Sequence, residues 1–292
     1  MKTKILWAVA LISLTFPLHA SPLTESTFTE VINDVNVVAG TTKSTSPART
    51  SEIFKTPDLV RTGPESRAEL TAPDQTITRV GANTVFSFAD NGRTLNLEQG
   101  NVLFHAPKGL GGGTIKSGGA SAVVLGTTLI VSATADGGFK VILLEGTGKV
   151  TLPNGKSVTL KAGQMVYVLP DGTTFSPVLD INLAKLVAGS LLINGFSHPL
   201  SSLPLIQAAI DQQNSQLASG NATDTGVPAD HFNRLQPPGN GLNTIDPGTY
   251  QNAAHSPLTQ NQLFQLINSE DPAKLVFGNP GGRGFAPMVV QQ

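Results

Sequence analysis

The chain has 292 residues, with 19 basic and 20 acidic side chains and no cysteine. This balance argues against a partner such as DNA, RNA or an anionic bilayer, which needs clustered Lys and Arg. The lack of cysteine excludes disulfides, thiolate metal sites and a cysteine nucleophile.

The N-terminal residues 1–20 have the pattern of a signal peptide. Lys2 and Lys4 precede an apolar run from Ile5 to Leu18, and the small residue Ala20 follows. The apolar run is shorter than the roughly 20 residues of a membrane span. We therefore expect cleavage after Ala20 and a periplasmic or extracellular protein without a membrane span; an uncleaved membrane anchor is the alternative.

Residues 25–178 are predicted to form an all-β domain. Short β-branched runs alternate with turn residues, and the segment "NTVFSFADNGRTLNLEQGNVLFHAPKG" predicts three strands, separated at Asn91-Gly92 and Gln99-Gly100. Asn154-Gly155 between "KVTL" and "SVTLK" predicts a hairpin. No helical pattern separates the strands, so we expect antiparallel pairing in a sandwich, a jelly-roll-like barrel or a short coil of hairpins.

The stretch "HAPKGLGGGTIKSGG" at residues 105–119 invites comparison with a phosphate-binding loop. That motif needs Gly directly before Lys and a helix afterwards, but Ile115 precedes Lys116 and a strand pattern follows. We predict a flexible excursion between strands, in which shortening Gly111-Gly112-Gly113 has little effect on stability.

Residues 179–220 are predicted to form a helical extension of two helices, the first with Asp180 as N-cap and the second beginning at Ser201 or Ser202. Residues 221–292 are rich in Pro, Gly, Asn and Gln, so we expect a largely disordered tail. Within it, "PLTQNQLFQLINSE" could form one helix or fray in water.

The sequence holds no recognisable catalytic constellation. The histidines after residue 20 are not at metal-ligand spacing, and serine-hydrolase, zinc-protease and calcium-loop motifs are missing. We therefore predict no catalytic residues, no metal, no cofactor and no enzymatic activity.

An ordered series of strand and turn motifs from about Val60 to Gln164 resembles the FecR domain, the extracytoplasmic domain of regulators in bacterial cell-surface signalling. These motifs are "VRTGPESRAELTAPDQT", "TRVGANTVFSF", "RTLNLEQGNVLFHAPKG", "VVLGTTLIVSA", "VILLEGTGKVTL" and "LKAGQ". The resemblance implies an all-β envelope domain. Its regulators also carry a cytoplasmic helical segment and a membrane span before the domain; here only the apolar leader precedes it, so direct contact with a sigma factor is not expected.

Two sets of residues are of interest in the segment that resembles the FecR domain. The motif glycines are predicted to shape turns, and they are Gly63, Gly100, Gly126, Gly146 and Gly163. Arg61, Arg67 and Arg79 are the predicted contacts to a protein partner, since guanidinium groups are favoured in interfaces.

Two function classes remain open. The first is a non-enzymatic envelope module that binds another envelope protein within a sensing or regulatory system. The second is a structural or surface-associated β protein without a signalling role. No nucleic-acid partner is expected in either class.

Overall fold

A computed structural model describes residues 22–90, 92–133, 137–168, 172–228 and 241–244. The predicted signal peptide, the helix predicted in "PLTQNQLFQLINSE" and the tail beyond residue 244 lie outside this part. The described elements, in chain order, are β1 (Glu25–Ile32), β2 (Val35–Val38), β3 (Thr45–Pro47), β4 (Ile53–Lys55), β5 (Leu59–Thr62), β6 (Arg67–Thr71), β7 (Ile77–Val80), β8 (Val85–Phe88), β9 (Thr94–His105), β10 (Gly113–Ser117), β11 (Ala120–Val124), β12 (Thr128–Ala133), β13 (Phe139–Glu145), β14 (Thr147–Thr151), β15 (Ser157–Lys161), β16 (Gln164–Val168), β17 (Leu179–Asp180), α1 (Leu183–Gly189), α2 (Leu191–Asn194), α3 (Leu203–Ala218), β18 (Thr223–Pro228) and β19 (Gly241–Thr244).

The first seventeen strands form two sheets that face each other and share β9. We call the sheet that carries the helices the covered sheet; its order is β4-β1-β6-β7-β9-β12-β13-β16-β17. The other, the open sheet, has the order β3-β2-β5-β8-β9-β10-β11-β14-β15. Successive segments of the chain contribute strands to one sheet and then to the other. The result is a sandwich built from a coil of hairpins, as the turn spacing predicts.

The pairing is antiparallel with one exception in this sandwich. Strand β10 runs parallel to β9, with Thr114 opposite Thr94 and Lys116 opposite Asn96. The sequence pattern did not predict this pair, because the connection from β9 to β10 contains no helix. It arises because β9 leaves the open sheet halfway along its length and β10 returns to it.

Strand β9 is also one continuous strand where the sequence pattern predicts two. The proposed break at Gln99-Gly100 is not a turn: β9 continues from Thr94 to His105, and Gly100 lies where it passes from the open sheet to the covered sheet. Gly100 has φ +94°, and a Cβ there would lie 2.2 Å from Oγ1 of Thr84. Only glycine accommodates both the backbone angle and the close neighbour.

The space between the sheets is filled by the inward side chains of both. Four aromatic rings, Phe28, Phe54, Phe86 and Phe88, pack in tilted and edge-on pairs at one part of this core, with centroids 5.3–6.1 Å apart. Such rings bury large apolar areas, and their edge-on contacts add to the stabilisation. These buried rings therefore help to stabilise a sandwich core that contains no disulfides.

A second core lies on the outer face of the covered sheet. There Leu103, Ile130 and Ile142 are completely buried, and they belong to one apolar cluster with Ile206 and Ile210 of α3. Strands β12 and β13 are consequently buried on both faces, which explains their continuous apolar sequences "TLIVSA" and "FKVILLE". The molecule has three layers: open sheet, covered sheet and helices.

The helical segment begins later than its sequence pattern predicts. Asp180 is in β17, and Asn182 is the N-cap of α1, where its side chain accepts a hydrogen bond from the amide of Lys185. The first predicted helix is divided into α1 and α2 at Ser190, and the second corresponds to α3. Within the segment predicted as a tail, β18 and β19 form a parallel pair that composition did not predict.

The glycine-rich stretch is packed rather than flexible. Gly113 begins β10 and is buried, and a Cβ on it would lie 2.4 Å from the ring of Phe104. Gly112 is also buried, and its carbonyl accepts a hydrogen bond of 2.6 Å from Nε of Arg93. The close neighbours of Gly112 and Gly113 leave no room for longer side chains. The expectation that shortening this run has little effect on stability stays a prediction.

Candidate functional site

A row of polar side chains crosses one end of the covered sheet. His105 ends β9, Thr128 begins β12, Glu145 ends β13 and Gln164 begins β16; the ladder sets Thr128 opposite both His105 and Glu145. Gln164 lies opposite Asp180 of β17. The antiparallel register thus brings together residues that are up to 75 positions apart in the chain, from His105 to Asp180.

Hydrogen bonds join the first three members of this row. The hydroxyl of Thr128 donates to Oε1 of Glu145 at 2.8 Å. The hydroxyl oxygen of Thr128 also lies 2.9 Å from Nδ1 of His105. Because the single hydroxyl proton points to Glu145, the ring nitrogen must be the donor in the second bond. The row therefore runs from the imidazole N–H through the hydroxyl to the carboxylate.

Burial shifts the titration of both ends of the row. It raises the pKa of Glu145, and this effect exceeds the opposing influence of the Thr128 hydrogen bonds and the Lys108 charge. Burial lowers the pKa of His105, which favours the neutral ring. The two groups face the same region, but burial shifts their pKa values in opposite directions.

Helix α3 closes over this end of the sheet and is fixed there by Gln213. The side chain of Gln213 accepts a hydrogen bond from the amide of Leu183 at 3.0 Å and donates to the carbonyl of Ile181 at 2.9 Å. A groove of about 870 Å³ remains between α3 and the sheet. Its lining includes Lys108, Glu145, Lys161, Gln164, Asp180, Leu205, Ala208, Gln212 and Gln216.

Three of the motif glycines lie at this end of the molecule. Gly126, Gly146 and Gly163 have positive φ, and a Cβ on each would approach Lys108, Thr127 and Gln213, respectively. The Thr127 hydroxyl donates to the carbonyls of Leu125 and Thr147, at 3.3 and 3.1 Å. The predicted turn geometry therefore occurs next to the groove.

Gly63 has a different role from the one predicted. It is not among the positive-φ residues, so no left-handed turn requires glycine there. A Cβ at this position would instead lie 2.6 Å from Oδ2 of Asp34. Close approach by a carboxylate, rather than backbone conformation, favours a glycine at this position.

The three predicted contact arginines do not form one surface. Arg61 is exposed on β5 of the open sheet, beside Asn83 and Gln99. Arg67 and Arg79 belong to the covered sheet, and Arg67 is half-buried with Nε donating to the carbonyl of Gly195 at 3.3 Å. Of the three, Arg61 is the one whose side chain remains open to a partner.

Arg79 is buried, with no exposed surface, which removes it from the set of accessible contacts. Its Nε donates to Oε2 of Glu69 at 2.7 Å, and its guanidinium stacks on the ring of Phe196 at 4.4 Å. Its terminal nitrogens donate to the backbone carbonyls of Leu192, Ile193 and His198. Arg79 thus holds the α2–α3 connection against the covered sheet.

The groove combines polar, charged and apolar side chains. It offers amide donors and acceptors, charges of both signs, and the apolar side chain of Leu205, which is 44% exposed. In the described part of the chain, no group of three His, Asp or Glu side chains is arranged to hold a metal ion. Likewise, no helix within those residues is long and apolar enough to cross a membrane.

The sequence motifs indicated part of this site. Glu145, Gly146, Gly163 and Gln164 were recognised as motif residues, but nothing in the sequence showed that they meet under a helix. No functional role was predicted for the glutamines of α3. A run such as "QAAIDQQNSQ", with glutamines repeating on one face, was the available signal.

Residues 58–149 match the family model described as FecR protein, which confirms the resemblance over about a third of the chain. No curated protein matches the chain. Two crystal structures of a candidate anti-sigma factor from Parabacteroides distasonis match with 18% and 19% identity and TM-scores of 0.40 and 0.39. Each match covers 44% of this chain and 63% or 62% of the other, so the chain spans about three-fifths of those structures.

Proposed function

We propose that this chain, whose residues 58–149 are a FecR segment, is a non-enzymatic module of the cell envelope that binds another protein in a sensing or regulatory system. The FecR match supports a regulatory module. The groove under α3 supports a protein segment as the ligand, because its lining combines hydrogen-bonding amides with one exposed leucine. Polar specificity around a small apolar contact is typical of segment recognition.

The observation that carries the proposal is the convergence of motif turns on the groove. Gly126, Gly146 and Gly163 bring three hairpin ends close to Lys108 and α3. A sandwich needs only tight turns, whereas these turns also surround an open and chemically mixed recess of the size that a few residues of an extended chain would occupy.

Site-specific photocrosslinking in the native envelope tests this function. A photoreactive residue at Gln212, which lines the groove, should crosslink to one defined protein. The matched control is the same residue at Asn214, which is exposed on the same helix and does not line the groove. Equal crosslinking from both positions, or none from either, would favour the structural alternative.

Arg61 provides a second test of the partner surface. Truncation of an interface arginine costs roughly 1–2 kcal/mol or more, which is about ten- to thirtyfold in affinity. Arg61→Ala should therefore weaken recovery of the crosslinked protein by at least about tenfold if this part of the open sheet takes part. Unchanged recovery would confine the interface to the groove.

Export is part of the same proposal. The charged start, apolar run and Ala20 support cleavage by a signal peptidase. Protein from the native envelope should begin at Ser21 and lack tryptophan fluorescence, since Trp7 is the single tryptophan. Intact mass measurement checks this; a membrane-bound chain that begins at Met1 would contradict it.

A further inference from the structure

We propose that the outer face of the open sheet over β10, β11, β14 and β15 docks against an anionic lipid surface. We call this surface the lysine face, and it consists of the outward side chains of these four strands. The inference goes beyond the protein partner proposed above and does not depend on it.

The lysine face concentrates positive charge that the overall balance hides. Residues 107–170 contain six lysines and two acids, although the whole chain is almost neutral. The four strands themselves, "GTIKS", "ASAVV", "TGKVT" and "SVTLK", contain no acidic residue. The rest of the chain is correspondingly acidic, so the molecule is electrically asymmetric.

The strand register places these lysines on one side. Ile115, Val150 and Leu160 point into the core, so the alternating positions Lys116, Lys149 and Lys161 point outward. All three are exposed, as is Lys156 in the β14–β15 turn.

The spacing of the lysines is short enough for their charges to act together. Lys149 lies opposite Thr159, so Lys161 is its diagonal neighbour at about 7–8 Å. Lys116 lies two strands away from Lys149 and is offset from it by two residues along the strand, so their Cα atoms are about 12 Å apart. The separation of Lys149 and Lys161 is close to the Debye length of about 8 Å at physiological salt, whereas Lys116 is largely screened from them. The three charges therefore act together mainly on an extended anionic surface that meets all of them.

These charges are not neutralised within the described part of the chain. Its ion pairs join other residues, and none involves Lys116, Lys149, Lys156 or Lys161. Glu98, exposed at the β9 margin near Lys116, borders the face on one side, and Glu145 and Asp180 line the groove that also includes Lys161. An external anion is therefore the natural counter-charge.

The composition of the face favours a lipid surface over a protein. Protein interfaces are enriched in aromatic residues and Arg and depleted in Lys. The four strands contain lysine, hydroxyl-bearing, small and aliphatic residues, without an aromatic or an arginine. Lysine clusters of this size are sufficient for binding to anionic headgroups.

One exposed apolar side chain complements the charges. Leu125 follows β11 and is 74% exposed, and the outward Val123 is 37% exposed. Beside several lysines, a protruding leucine can enter the headgroup region while the lysines remain in its negative potential. The proposal departs from the expectation, drawn from net charge, that the protein has no affinity for an anionic bilayer.

Vesicle sedimentation of the full chain tests the proposal. The probes are vesicles of 30% phosphatidylglycerol in phosphatidylcholine and vesicles of phosphatidylcholine alone, where the neutral vesicles measure any binding by the apolar leader. We expect stronger partition to the anionic vesicles, reduced by high salt. The variant K116Q/K149Q/K161Q should lose at least about tenfold, since each lysine near an anionic leaflet contributes up to about fivefold.

The matched control removes the same charge elsewhere. K43Q/R49Q/K55Q also lowers the net charge by three at exposed positions, on or between β2 and β4. It should retain the anionic partition, and thermal melts should show that both variants remain folded. Equal loss in both triple variants, or no preference for anionic vesicles, would overturn the lipid proposal. Loss of the Gln212 crosslink in K116Q/K149Q, which leaves the groove residue Lys161 unchanged, without a vesicle effect would assign the face to an acidic protein instead.

Discussion

At the scale of single residues, burial decides the role of each charged group. Arg79 and Arg61 belong to the same sequence class, but one is enclosed by Glu69 and three carbonyls and the other is exposed. A buried arginine with every bond satisfied orders its surroundings, whereas an exposed one is available to a partner.

Arg79→Ala should destabilise the protein by about 3–5 kcal/mol, because it leaves the Glu69 carboxylate and three carbonyls buried without their donor. Urea unfolding measures the loss. Arg67→Ala, which removes one long hydrogen bond from a half-buried side chain, should cost less than about 1 kcal/mol. Similar losses in the two variants would contradict the assigned role of Arg79.

Glu145 should make stability depend on pH. Its pKa is raised in the folded protein by burial, so folding favours the protonated form and stability falls as pH rises above the ordinary value of 4.5. His105 acts in the opposite direction, because its lowered pKa reduces stability as pH falls below 6.5.

Comparison of wild type with Glu145→Gln isolates the carboxyl contribution, since His105 is present in both. The variant should lose the decline in unfolding free energy that begins above pH 4.5, and it should gain stability relative to wild type at pH 7. Urea titrations at several pH values provide the measurement. Glu98→Gln, at an exposed carboxyl, is the control; the idea fails if the Glu145 variant keeps the wild-type slope.

At the scale of elements, glycines determine where strands approach each other. The β10–β11 hairpin lies close to β9 because Gly112 and Gly113 leave space for the carbonyl of Val124 and the ring of Phe104. The same run looked flexible in the sequence, because composition does not reveal neighbours.

Gly112→Ala should therefore be much more harmful than Gly109→Ala. Both glycines have positive φ, so each substitution incurs backbone strain of roughly 1–2 kcal/mol. At Gly112 the new methyl group would also lie 1.9 Å from the Val124 carbonyl, whereas nothing lies within 4 Å at Gly109. Thermal melts of both variants give the comparison, and equal melting temperatures would show that the loop yields freely.

At the scale of the whole molecule, the helices are part of the β domain's core. The outer face of the covered sheet exposes Leu103, Ile130 and Ile142 unless α1, α2 and α3 cover it. We therefore expect the predicted division at residue 178 to be a change of secondary structure and not a boundary between independent folding units.

Truncation distinguishes these views. A chain ending at Pro228 should unfold cooperatively, because it retains all three helices and Asp224, which pairs with Lys185. A chain ending at Val178 should bind a hydrophobic dye and lack a cooperative melt, because a large apolar face is uncovered. Cooperative folding of the shorter chain would show that the helical layer is dispensable.

Much of the fold was accessible from the sequence because it rests on local chemistry. Short β-branched runs between turn residues indicated strands throughout residues 25–178, and Asn154-Gly155 indicated the hairpin between β14 and β15. The helix α3 corresponds to the helix predicted to begin at Ser201 or Ser202, and Ser202 is its N-cap. The turn motifs also indicated the FecR resemblance, since their order along the chain is itself sequence information.

Only the tertiary structure decided which of these residues meet. The crossing of β9 between sheets, the burial of Arg79, the groove beneath α3 and the lysine face all depend on pairing between distant segments. Net charge and composition average over the whole chain, whereas a sheet sorts alternate side chains to opposite faces and aligns strands from different parts of the sequence. Local sequence therefore determined where most strands and turns form. Long-range register determined which side chains are buried in the core, which hold neighbouring segments together as Arg79 does, and which remain at the surface.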